Sequence, residues 1–141
     1  MANLFRTYPG RALTGLILAL TIGVVVVATC NTVWSIARNL PVFSLWDDAS
    51  VLQVLIASAA FVLLSLLGVS APRPWIVALF LTVGFWSFYT YVITRPYAGG
   101  GANIGLGILM LFSPLPIAGA SLLSLISRAE GRRPDEKANG S

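Results

Sequence analysis

The chain has 141 residues, 57% hydrophobic and 10% charged, roughly half the charge of a soluble domain. Nine Lys and Arg against five Asp and Glu leave a formal charge of +4, but the cations are scattered and form no basic stripe with stacking aromatics, so nucleic acid is not an expected partner. Histidine is absent and Cys30 is the single cysteine, which removes the commonest general base and any multi-cysteine metal site.

Four apolar segments, residues 13–36, 51–69, 75–93 and 104–126, carry no ionised side chain. Each is close to the 20 or so residues that cross a bilayer as a helix, the form that pairs every backbone polar group where no water is present. The expected fold is an all-α four-helix transmembrane bundle over residues 1–127. A polar, disordered cytoplasmic tail over residues 128–141 is expected to follow, and no part outside the spans is large enough to bury a core of its own.

In the first segment Ala12, Gly15, Ala19, Gly23 and Cys30 fall on one stripe at 100° per residue, a small-xxx-small pattern that allows another backbone to approach closely. Arg6 and Arg11 before a long apolar run that ends Val27, Ala28, Thr29, Cys30 resemble a lipoprotein signal. Thr29 stands where such a box wants Gly, Ala or Ser, and the run is longer than a signal core, so a retained helix is expected. Cys30 then packs as a small buried hydrophobe.

Residues 40–46 form a short apolar stretch suited to the membrane interface. The second helix opens with Asp47 and Asp48, which suit the positive end of its dipole, and Ser50 with Gln53 has the spacing of a capping box. Two adjacent carboxylates without further oxygen ligands do not make a cation site, so no metal is expected. Pro72 and Pro74 flank Arg73 in a tight connection that requires an antiparallel hairpin. The third helix concentrates Phe80, Phe85, Trp86, Phe88, Tyr89 and Tyr91, which read as bundle packing before they read as a ring-binding site for a lipid tail, quinone or pigment.

The fourth segment opens with Gly99, Gly100 and Gly101, followed by Asn103, Gly105 and Gly107. The spacing fits no nucleotide loop. Gly101 and Gly105 give a GxxxG contact face, while Asn103, Gly107, Met110 and Pro114 share the other side. Pro114 and Pro116 remove the bonds to the carbonyls of Met110 and Phe112, so a kinked fourth helix is expected, with new partners for those acceptors supplied by Ser113, a neighbouring helix or water.

Seven of the nine cations lie in the N-terminus, the middle connection and the tail, against only Arg38 and Arg95 in the opposite loops. Positively charged short loops resist translocation, so both termini are expected in the cytoplasm. The expected location is the inner (plasma) membrane of a bacterial cell. No span carries the ionisable group that proton relays and ion-coupled carriers normally need. The available polar groups, Asn31, Thr32, Asn103, Ser113, Ser121 and Ser124, suit helix–helix hydrogen bonds.

The expected function is therefore non-catalytic and without a cofactor: an accessory, assembly or scaffolding subunit, or a homo-oligomer. Its partners would be membrane lipids and other membrane proteins or copies of itself, with Gly15, Ala19, Gly23, Gly101 and Gly105 as helix-packing residues. The alternative is a small oligomeric transporter or channel, with Asn103, Gly107, Pro114 and Pro116 near the pore or ligand. A lipid-modifying enzyme is the third reading, resting on Asp47, Asp48, Arg38 and Arg95, which outer-loop ion pairs explain equally well.

Overall fold

The computed structural model describes the backbone of residues 8–41, 47–95 and 104–130. Among these residues the chain is all-helical: α1 Tyr8–Ala37, α2 Asp48–Leu66, α3 Pro72–Thr94, α4 Ile104–Phe112 and α5 Pro114–Glu130. α4 and α5 together make one span interrupted at Ser113. Pro9–Ala37, Asp48–Leu66, Pro72–Thr94 and Ile104–Leu125 are each long and apolar enough to cross a membrane. The shortest, with 19 residues, extends about 28 Å at 1.5 Å per residue, enough for the hydrocarbon core with its flanking residues.

Local side chains fix where the helices end. α1 closes on Asn39, whose positive φ of 52° turns the chain so that Leu40 N donates to Ser35 O at 2.9 Å and Asn39 N to Ile36 O at 3.2 Å. α2 closes in the same way on Gly68, φ 67°, with Val69 N to Leu64 O and Gly68 N to Ser65 O, both 3.0 Å. These are two Schellman motifs, and glycine or asparagine occupies the left-handed position because other side chains are strained there.

The capping box expected at Ser50 and Gln53 does not form. The N-cap is Asp47, which accepts Ala49 N at 3.1 Å, so α2 begins three residues before the apolar run and Ser50 lies inside its first turn. Gln53 is drawn instead into a bond from Asn31 Nδ2 at 3.0 Å. Pro72 stands at the first position of α3, where no helical N–H is needed, so the prolines start this helix and are not left in the connection. At the other end of the chain, α5 runs without a break through residue 128 to Glu130.

Around the bundle the order is α1, α2, α5, α3, with the largest contact between α1 and α2, then α3 with α5. α2 and α3 are sequence neighbours joined by residues 67–71, yet they meet only across the diagonal. The core lies in two layers. One joins Ala19, Ala60, Phe61, Leu64, Ala78, Ile117 and Ala118; the other joins Val27, Ile56, Ala57 and Trp86, with Met110 against it. Small residues recur because lipid supplies no hydrophobic drive between helices, so association depends on close van der Waals fit.

Candidate functional site

Gly15, Ala19 and Gly23 all lie on the side of α1 that meets α2. Ala19 is fully buried. A Cβ on Gly23 would sit 2.9 Å from Val54 O and 3.0 Å from Ser58 Cβ. A Cβ on Gly15 would collide with the Ser65 hydroxyl, which donates to Ala12 O at 2.8 Å. The close approach therefore admits an interhelical hydrogen bond as well as contact. Cys30, further along α1, faces α3, with Sγ 3.7 Å from Trp86 O.

Gly101 and Asn103 lie outside the described residues. Gly105 and Gly107 are on the exposed surface of α4, and a Cβ on Gly107 would meet nothing within 4 Å. Pro114 and Pro116 adjoin the interruption. There Ser113 donates to Met110 O twice, from N at 3.2 Å and from Oγ at 2.8 Å. The carbonyl that Pro114 orphans thus has partners inside its own span. Next to the interruption an apolar groove of about 670 Å³ runs between α3 and the fourth span, with Phe80, Gly84, Leu109, Phe112, Pro116 and Ala120 among its walls.

The buried polar residues, Ser35, Ser50, Ser58, Ser65, Thr82, Thr90, Ser113 and Ser121, all carry hydroxyls. Three of those hydroxyls bond to their own helix. Ser58 donates to Leu55 O, Thr90 to Trp86 O and Ser121 to Ile117 O. Thr82 is 1% exposed, lies between the two core layers, and its Oγ1 has no partner among the described residues. Of the polar groups singled out in the sequence, Asn31 makes a bond between helices. Thr32 and Ser124 bond within theirs.

At the end of the bundle where α1 finishes, Arg38 Nη2 donates to Ile93 O at 3.1 Å and to Arg95 O at 3.3 Å. The guanidinium therefore satisfies carbonyls that the end of α3 leaves open and complements its dipole. Arg95 lies 4.3 Å above the Tyr91 ring, a cation–π distance. Sequence periodicity gave no sign of the Arg38 role, which depends on the packing of α1 against α3, whereas Tyr91 and Arg95 stand four residues apart and their contact is local.

The outward side of α1 has a pattern of its own. Thr14, Leu18, Thr21, Val25 and Thr32 are exposed and Ala28 is half-buried, and their alternating spacing of four and three residues aligns them as a heptad seam. The threonines bond to their own helix, Thr14 to Gly10 O, Thr21 to Ile17 O and Thr32 to Ala28 O. Each oxygen still keeps acceptor capacity toward a neighbour. No protein-family model, curated protein or solved structure matches the chain.

Proposed function

We propose that this multi-pass membrane protein is a non-catalytic packing subunit. It sits in a bacterial inner membrane with both termini cytoplasmic and associates through its helices with another membrane protein or with copies of itself. The heptad seam on the outward face of α1 carries this reading. Small and hydroxyl-bearing residues are enriched where membrane helices meet, and the residues of this row other than Ala28 are exposed. The break at Ser113 adds support, because the Met110 carbonyl freed by Pro114 is taken within the span. The orientation draws on the cation count together with Arg38 and Arg95, the two cations of the cation-poor side, both held at the end of α3.

The test is to replace Thr21 and Ala28 by Leu together and follow assembly size in mild detergent. Loss of assembly with an unchanged unfolding midpoint is expected, because Thr21 is exposed and Ala28 half-buried within the chain. Retained assembly would remove the seam from the account.

A small oligomeric transporter is the second reading, favoured by the interrupted fourth span and the groove beside it, since transporters bind substrate at broken helices. The double variant Pro114→Ala, Pro116→Ala separates the two. A packing subunit keeps its assembly and gains stability, whereas a transporter loses flux while remaining folded.

A further inference from the structure

At the end of the bundle where α2 finishes, a pocket of about 400 Å³ opens between three helices, a size usual for a small-molecule site. α1 lines it with Arg11 and Leu18, the turn after α2 with Val69 and Ser70, and α3 with Pro72 and Trp75. It stands level with the ends of three spans, since α1 begins at Tyr8, α2 finishes at Leu66 and α3 begins at Pro72. Leu18 lies two turns further into its span than Arg11, about 10 Å along the helix axis. The pocket therefore reaches from the bilayer surface into the hydrocarbon.

The donors left free in the lining fix the sign of an occupant. Trp75 Nε1 donates to Val69 O at 2.8 Å and its ring centroid lies 6.0 Å from that of Phe61, so the indole is a pinned apolar wall with no donor to spare. The hydroxyls of Thr14 and Ser65, also in the lining, are spent on Gly10 O and Ala12 O. Arg11 and Ser70 remain, and neither side chain has a partner among the described residues. No carboxylate lines the pocket, and Asp47 and Asp48 stand at the opposite end of α2. A cation would meet the guanidinium and no counter-charge. An anion gains a planar fork of donors that matches phosphate oxygens. A soluble anion would leave Leu18, Val69 and Trp75 uncovered, whereas a lipid lays its chain on them. A zwitterionic ethanolamine head group would bring an ammonium for which the lining has no acid.

We infer that this pocket binds an anionic phospholipid, its phosphate held by the Arg11 guanidinium and the Ser70 hydroxyl and one acyl chain laid along Leu18, Val69 and Trp75. Basic pockets between membrane helices recognise lipid head groups by the same chemistry. Thr14 and Leu18 also belong to the seam on α1, so the lipid stands at one end of that seam. Its binding does not rest on the assembly proposed above.

The full chain is placed in nanodiscs holding equal amounts of phosphatidylglycerol and phosphatidylethanolamine with identical acyl chains, and native mass spectrometry counts the lipids that stay on the released protein. Wild type is expected to retain phosphatidylglycerol about fivefold over phosphatidylethanolamine, the factor one arginine contributes beside an anionic lipid. Arg11→Gln should bring the two near parity and Arg11→Lys should keep most of the preference, with circular dichroism verifying that each variant is folded. Arg95→Gln removes the same charge at the far end of α3 and should leave the preference unchanged. The Thr21→Leu, Ala28→Leu protein should keep it as well, which separates lipid binding from assembly. In a second arm inorganic phosphate is added to the protein in phosphatidylethanolamine alone, and no Arg11-dependent phosphate adduct is expected; such an adduct without a lipid preference in the first arm would assign a soluble anion and overturn the inference. Equal retention of the two lipids by wild type, an undiminished preference in folded Arg11→Gln, or an equal loss in Arg95→Gln would overturn it too.

Discussion

Gly23→Ala adds one methyl group to the tightest helix contact whose dimensions are fixed by backbone. The new carbon would stand 2.9 Å from Val54 O and 3.3 Å from Ser58 N. Neither atom can rotate away, so α1 and α2 must separate locally. Overpacking of this kind costs about 1–3 kcal/mol. Alanine returns about 1 kcal/mol in helix propensity, which leaves Gly23→Ala destabilised by up to about 2 kcal/mol and Gly23→Leu by more. Gly84→Ala is the internal control, because nothing lies within 4 Å of its added carbon, and it is expected to be neutral or mildly stabilising. Unfolding by SDS titration of the protein in dodecylmaltoside reads all three. Equal midpoints for Gly23→Ala and Gly84→Ala would refute the claim that α1 and α2 are held at backbone contact.

Thr82→Val removes a buried hydroxyl that has no partner among the described residues and keeps its shape, so it is expected to stabilise the bundle by about 1 kcal/mol in the same titration; destabilisation would show that Thr82 is paired. Arg38→Met takes away the donor to Ile93 O and Arg95 O, and amide exchange should accelerate at the last turn of α3 while the first turn is unchanged. Arg38→Lys should restore only part of that protection, since an ammonium lacks the planar fork. For the proposed orientation, single cysteines at Ala138 and Ser44 in a Cys30→Ser background should label from opposite sides of sealed cells, only Ser44→Cys from outside. Labelling of both from outside contradicts the orientation.

The spans were legible because hydropathy over a long window needs no tertiary information, and the four long apolar helices follow from it directly. Their ends were less so. A capping box at Ser50 and Gln53 would start α2 at residue 51, but Asp47 accepts Ala49 N and starts the helix earlier. Asn39 and Gly68 end their helices through backbone geometry that a hydrophobic pattern does not encode. Periodicity could place Gly15, Ala19 and Gly23 on one face of α1 but could not say that the face meets α2, and neighbourhood in sequence suggests the wrong packing partners for α2 and α3. The Asn31–Gln53 and Arg38–Ile93 bonds join positions 22 and 55 residues apart, so they become visible only once three helices are assembled.

The proposal that this chain works by joining other membrane helices is tested most directly by extracting it from its native membrane into polymer-bounded nanodiscs, without detergent, and counting the protein chains in each particle. The account predicts more than one chain per particle, either a fixed number of copies or a constant stoichiometry with a second membrane protein, and a fall to single chains in the Thr21→Leu, Ala28→Leu variant. Single wild-type chains, alone in their discs across a range of expression levels, would contradict it.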